Sequence, residues 1–167
     1  QSMLCKFSTL CSSGISTSGR VKKYAEIIGV DYDMEKTYNV RDDSDWEATL
    51  KPRLHERLKC SKNIILFLSE KTKNSRALRE EIEYGTGVLG LPIIVVYPDL
   101  EKEDIHTPDG FTKNVKDLWD KLPPLKEAMK LVPSYHIPFS KNIVKEALLD
   151  KDLMVQTATG NQTYYHK

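Results

Sequence analysis

Two continuous apolar segments of strand length constrain the fold of this chain more than any other feature of its sequence. They are residues 63–68 (NIILFL) and 92–97 (PIIVVY). Between them, residues 75–88 carry apolar side chains at helical spacing. Strands without a polar face are typical of parallel sheets, because helices cover both sides of such sheets. The pattern therefore predicts a βαβ unit with a right-handed crossover.

The rest of the chain continues this alternation of strands and helices. Pro52 should kink or divide the helix in which it lies, because proline removes one helical hydrogen bond. The further predicted elements are a short strand at 3–10, a helix at 20–28, a short strand at 37–40, a helix at 44–58, a helix at 112–121, an edge strand at 134–139 and a helix at 141–149.

Length and composition limit the class of protein. A chain of 167 residues with 40% hydrophobic and 29% charged residues is expected to be globular, with one core. Its apolar runs are too short to cross a bilayer. The net charge of +1 and the lack of a strong basic cluster argue against nucleic acid as a partner. We therefore expect neither a membrane nor a nucleic-acid partner.

The cysteines and the first residues predict the compartment and the domain limits. Cys5, Cys11 and Cys60 include no CxxC pair, and the N-terminus does not resemble a signal peptide. We therefore expect a cytoplasmic protein with free thiols. Residues 1–2 have the character of a tag remnant, and residues 3–167 are predicted to form a single domain with a C-terminal extension.

Two glycine-rich segments resemble nucleotide-binding motifs. Residues 85–90 spell G-x-G-x-x-G, but they close a predicted helix and lead into a strand, whereas a dinucleotide site needs the reverse order. Residues 14–21 approach a P-loop but place Arg20 and Val21 where lysine and a hydroxyl residue are required. The first segment predicts a helix C-cap and turn, and the second a flexible loop.

The helix before the glycines carries three glutamates in different positions. At about 100° per residue, Glu80 and Glu83 lie far from the apolar stripe, whereas Glu81 lies only about 70° from its centre. A carboxylate at that border is partly desolvated, which suits a functional group. The alternative is a structural ion pair with Arg76, Arg79 or another nearby base. The helical period alone leaves both interpretations open.

No metal site is expected from the sequence. Residues 31–35 and 43–47 alternate carboxylates but lack the glycine and the closing glutamate of a calcium loop, which favours solvated acidic loops. His55-Glu56 lacks the second histidine of a zinc protease motif.

Residues 49–98 resemble the TIR-like family, and most closely the bacterial branch that includes the NAD-consuming sensor subunit of Thoeris antiphage systems. The matching features are a polar "CSKN" after a helix, a strand running into Ser69, a loop with Ser75, a helix bearing "EIEYG" and a Leu-Pro strand. The resemblance implies a flavodoxin-like α/β fold, a parallel sheet with helices on both faces and a site at the carboxyl ends of the strands.

The resemblance also implies a chemistry. Enzymatic members need a glutamate in this helix to break the bond between nicotinamide and ribose, and by position that residue is Glu81. NAD+ would then be a substrate, with no cofactor, and the product would be ADP-ribose or a cyclic isomer. Family members often carry tryptophan where this chain has Ala77, so Trp46 and Tyr84 are the candidates for a ring that contacts substrate. Ser69 and Asp43 are further candidate substrate-binding residues.

Two function classes remain open at this stage. One is an NAD-cleaving or NAD-cyclising signalling enzyme of antiphage defence, whose product a downstream effector would sense. The other is a non-catalytic module that forms homo-oligomers through TIR–TIR contacts, with Glu81 in a structural role. A response-regulator relative is set aside, because no acidic cluster ends a first strand.

Overall fold

A five-stranded parallel sheet forms the centre of the described part of the chain. The computed structural model describes the backbone of residues 7–11 and all of residues 46–167. The sheet has the order β1-β2-β3-β6-β7, and β4 pairs with β5 in a separate antiparallel hairpin. The strands are β1 (Phe7–Cys11), β2 (Ser61–Phe67), β3 (Ile93–Tyr97), β4 (His106–Thr107), β5 (Gly110–Phe111), β6 (Ser134–Pro138) and β7 (Thr163–Tyr165).

Helices connect the parallel strands. A π-helical turn at Trp46–Leu50 precedes α1, a π-helical segment at Glu83–Val88 continues α2, and a 3-10 turn at Lys151–Leu153 follows α6. The helices are α1 (Lys51–Lys59), α2 (Arg76–Ile82), α3 (Lys102–Ile105), α4 (Lys113–Asp120), α5 (Pro123–Met129) and α6 (Lys141–Leu149).

Local sequence signals fix several helix ends. Pro52 lies in the first turn of α1, where the π-helical winding changes to α-helical winding and where the missing amide N–H removes no hydrogen bond within α1. Ser75 caps α2 by accepting a hydrogen bond from the Leu78 amide, and Thr112 caps α4 by accepting one from the Val115 amide.

Both faces of the sheet are buried. Because side chains alternate along a strand, β2 and β3 send successive residues into two different cores. One core contains Ile64, Leu66, Ile93, Val95 and Tyr97 and packs against α1, α2, α4 and α5. The other contains Ile65, Phe67, Ile94 and Val96 and packs against α6. The predicted βαβ unit and the predicted α/β fold with helices on both faces are confirmed.

The glycine segment ends a helix, as the sequence predicted. The helical backbone runs to Val88, and Gly90, with φ +70°, turns the chain into β3. Gly85 has a different role. A Cβ atom there would lie 2.6 Å from the Ile64 Cδ1 atom, so the absence of a side chain lets the helix approach the sheet closely.

The prediction that residues 134–139 form an edge strand is wrong. β7 pairs in parallel with the outer side of β6, with Ser134 opposite Thr163. To reach β7, the chain crosses the amino-terminal edge of the sheet, where the Asn63 side-chain amide donates to the Leu153 carbonyl at 2.9 Å and the Val155 amide donates to the Lys62 carbonyl at 2.8 Å. The short helix α3, the helix α5 and the β4–β5 hairpin were also not predicted from the sequence.

The remaining sequence predictions concern the first 45 residues. β1 overlaps the second half of the strand predicted at residues 3–10, and the first half lies outside the described residues. The helix predicted at 20–28 and the strand predicted at 37–40 lie outside the described residues. Among the helices of the described residues, none combines the length and the apolar character needed to cross a bilayer.

Substitution of Gly85 by alanine should destabilise the protein, whereas substitution of Gly87 should not. The added methyl group at Gly85 would force a shift in the packed core, at a cost of about 1–3 kcal/mol in the free energy of unfolding. Nothing lies within 4 Å of the corresponding position at Gly87, so alanine there should stabilise the helix by about 0.5–1 kcal/mol. Urea unfolding measures both, and equal effects would show that the close approach at Gly85 is unimportant.

Candidate functional site

Glu81 lies in the middle of the helix that follows β2. Because β2 and β3 are parallel, α2 begins near the carboxyl edge of the sheet and runs back toward its amino-terminal edge. Glu81 is five residues after Arg76, which places it about 8 Å along the helix axis. Its side chain is only 1% exposed. The structure therefore buries Glu81 further than the helical period predicts.

An arginine of the neighbouring helix contacts this carboxylate. The Arg57 Nη2 atom of α1 lies 2.8 Å from the Glu81 Oε1 atom, and the Arg57 side chain is 31% exposed. The guanidinium supplies positive charge to a carboxylate that has lost its contact with water. This ion pair is of the structural kind that the sequence left open, with Arg57 as the partner and neither Arg76 nor Arg79.

A second polar contact joins α1 and α2 beside this pair. The His55 Nε2 atom lies 2.6 Å from the Glu80 Oε1 atom, and each side chain is 22% exposed. The His55 ring also stacks on Tyr84, with ring centroids 3.5 Å apart and planes within 2° of parallel. Tyr84 therefore lies in the same seam between α1 and α2 as Glu81. We call the residues His55, Arg57, Glu80, Glu81 and Tyr84 the α1–α2 seam.

Trp46 lies where α2 begins. It is 6% exposed, and the Arg76 guanidinium is 4.8 Å from the centroid of its ring. Ala77, which occupies the tryptophan position of the family, packs against the same apolar cluster. The Trp46 ring is thus part of the core under Arg76.

Ser69 organises the loop between β2 and α2. It is 7% exposed, its hydroxyl accepts a hydrogen bond from the Lys71 amide at 3.2 Å, and its own amide donates to the Thr72 hydroxyl at 3.0 Å. These bonds close a tight turn at the carboxyl end of β2. Asp43, the remaining candidate, lies outside the described residues. Of the sequence-predicted residues, the structure therefore brings Glu81 and Tyr84 into one seam.

A buried hydrogen-bond chain that the sequence analysis did not select links β3, α4 and β6. The Trp119 indole N–H donates to the Tyr97 hydroxyl at 2.8 Å, and this hydroxyl is hydrogen-bonded to the His136 Nδ1 atom, 2.6 Å away. The other ring nitrogen of His136, Nε2, is hydrogen-bonded to the Ser134 hydroxyl at 3.0 Å. The sequence signal was a histidine and a serine in an otherwise apolar strand.

Burial controls the protonation of this chain. Loss of water lowers the pKa of His136 to about 3 and raises the pKa of Tyr97. Both groups are therefore neutral at physiological pH. They act as a fixed polar connection inside the sheet.

A shallow surface crevice lies beside His136, at the carboxyl ends of β6 and β7. The His106 ring stacks on Tyr165 at its rim, with centroids 3.4 Å apart. No sequence-predicted site residue that the structure describes lines this crevice. Its lining residues are Lys102, Ile105, His106, His136, Pro138, Tyr165 and His166.

In the described part of the chain, no three histidine, cysteine or acidic side chains are grouped so that they could hold a metal ion.

A family model matches the part of the chain that contains the α1–α2 seam. Residues 17–103 match the model described as Thoeris protein ThsB, TIR-like domain. The match covers 87 residues (from 17 to 103) of 167, which is just over half of the chain. It includes the α1–α2 seam, both strands that flank α2 and every residue that the sequence analysis proposed for the site.

The free energy of unfolding should fall with decreasing pH because of His136. Its pKa is about 3 in the folded protein and about 6.5 in an unfolded chain, so protons bind preferentially to the unfolded state between these values. The contribution of His136 is complete above about pH 6.5 and decreases by up to about 1.4 kcal/mol per pH unit below it.

Urea unfolding at several pH values between 7.5 and 5 would measure this slope for the parent protein and for a His136→Gln variant. The variant should have the shallower slope, and a His166→Gln variant serves as the control for loss of a half-buried histidine. Equal slopes in the parent and in His136→Gln would contradict the assignment.

Proposed function

The chain belongs to the Thoeris ThsB TIR-like family of antiphage defence signalling proteins, and we propose that it acts by cleaving or cyclising NAD+. The observation that carries this proposal is the position of Glu81. It is a carboxylate on the helix after β2, inside the matched segment, and it is 1% exposed. A carboxylate in such a poorly solvated position interacts strongly with a nearby positive charge.

The reaction requires this property. When the bond between nicotinamide and the ribose C1′ atom breaks, nicotinamide leaves as a neutral molecule and positive charge develops on the ribose ring. The Glu81 carboxylate would stabilise that charge or orient the ribose hydroxyl groups. Water, or a nucleophile within the same molecule, then adds to C1′ and loses a proton, which gives ADP-ribose or a cyclic isomer respectively.

The partners follow from the same proposal. NAD+ is the substrate, and the reaction as written uses no resident cofactor. The product would act as a signal that a downstream effector senses. Assembly into a homo-oligomer through contacts between TIR-like domains would regulate the activity.

A second candidate function is a non-catalytic interaction module. The 2.8 Å ion pair between Arg57 and Glu81 favours it, because this contact alone gives the buried carboxylate a structural role. In that case the protein would self-associate with increasing concentration and would not consume NAD+.

A Glu81→Gln variant should lose nicotinamide release from NAD+. The amide keeps the shape of the side chain but removes the negative charge, and loss of a preorganised charge in a site of this kind lowers turnover by about 100-fold or more. Glu80→Gln is the matched control, because it changes the adjacent glutamate on the same helix. It should keep most of the activity.

Nicotinamide release is measured at high protein concentration, with thermal unfolding of each variant to confirm that it is folded. Equal release by the parent and by a folded Glu81→Gln variant would remove Glu81 from the site but keep the enzyme. No release by the parent under conditions in which it self-associates would contradict the enzymatic proposal and favour the interaction module.

A further inference from the structure

The Arg57 guanidinium lies against the Glu81 carboxylate, where the proposed reaction would place the positively charged ribose ring. Its Nη2 atom contacts the Glu81 Oε1 atom at 2.8 Å, which is hydrogen-bonding distance for a charged donor. In the proposed reaction, the same carboxylate would face the positively charged ribose ring. A guanidinium and a ribosyl cation cannot both lie against the same carboxylate oxygen.

The burial of Glu81 also prevents a substrate from reaching its carboxylate in the resting protein. A side chain that is 1% exposed cannot contact a substrate that arrives from solvent, whereas the Arg57 side chain is 31% exposed and already reaches the surface. Arg57 is therefore well placed to leave this position. Its neighbour Leu58 is fully buried, so the backbone of α1 stays anchored in the core when the Arg57 side chain turns outward.

From these contacts we infer that Arg57 is a latch that covers Glu81 in the resting protein and withdraws when substrate binds. The functional consequence rests on the proposed NAD+ chemistry, whereas the covering of Glu81 by Arg57 can be tested without it. The guanidinium regains water as it turns outward, which offsets part of the lost ion pair. Arg57 is thus a regulatory residue and does not take part in the chemical step.

The second contact of the α1–α2 seam allows this movement. His55 binds Glu80 and stacks on Tyr84, and neither contact involves Arg57. The two helices therefore remain joined when the Arg57–Glu81 pair opens. The opening would separate Arg57 from Glu81 and leave the packing of the helices intact.

Carboxyl labelling tests the latch independently of turnover. The protein is treated with a water-soluble carbodiimide and an amine, and the modified glutamates are located by mass spectrometry. In the parent, Glu81 should be protected, while the exposed Glu83 reacts fully. In Arg57→Gln, labelling of Glu81 should rise by about tenfold or more, since the charged contact that covers it is gone.

Glu80 is the internal control for this experiment, because its partner is His55 and its labelling should not change. Arg53→Gln is the matched charge control, because Arg53 is an exposed arginine on the same helix. Protection of Glu81 that persists in a folded Arg57→Gln variant would overturn the inference. Rapid labelling of Glu81 in the parent would overturn it too.

Nicotinamide release by the same variants tests the functional consequence. Arg57→Gln should release nicotinamide faster than the parent, and Arg53→Gln should match the parent. Slower release by Arg57→Gln would overturn the inference, because Arg57 would then be required for turnover. If Glu81 becomes exposed in Arg57→Gln but neither the parent nor any variant releases nicotinamide, the latch would be supported and the proposed NAD+ chemistry contradicted.

An Arg57→Lys variant covers the case in which Arg57→Gln does not fold. Lysine keeps the positive charge but loses the planar fork of donors, so it should hold Glu81 less firmly. In Arg57→Lys, Glu81 should be labelled faster than Glu81 of the parent protein and more slowly than the exposed Glu83, and this result supports the latch. Labelling equal to that of the parent overturns it.

Discussion

Burial of β2 and β3 on both faces is the constraint on which the other elements depend. Strands of this kind need apolar cover on each side, and α1 and α2 provide it on one face while α6 provides it on the other. The absence of a side chain at Gly85, in the segment that continues α2, leaves room for the Ile64 side chain of β2. Packing α1 and α2 side by side over these strands is what brings Arg57 to Glu81.

The α1–α2 seam combines the stability of the fold with its proposed chemistry. An ionised carboxylate at this depth costs free energy unless a positive charge compensates it, and Arg57 provides that charge. The same low exposure would make the carboxylate effective toward a developing cation. In the proposed mechanism, the Glu81 side chain would therefore serve the folded state at rest and the reaction when substrate is present, and the exchange between these two contacts would control activity.

Sequence reasoning predicted the parts of this structure that depend on local pattern. The apolar runs, the helix between them and the glycine turn were all visible, because each is encoded by neighbouring residues. β7 was missed because it has three residues and no buried apolar run, and its existence depends on pairing with β6. The depth of Glu81 was underestimated for a similar reason, since Arg57 and α1 lie 24 residues earlier in the chain. The part of the site around Asp43 stays a prediction.

The hydrogen bond from Asn63 to Leu153 joins residues that are 90 positions apart and closes the amino-terminal edge of the sheet. A ribosome releases the chain from its N-terminus, so β2, α2 and β3 emerge long before this acceptor does. Until then the amide of Asn63, which is fully buried in the finished fold, must remain hydrated. The amino-terminal edge of the sheet can therefore close only after residue 153 has left the ribosome, whereas the strands that flank the candidate catalytic helix are already available to pair.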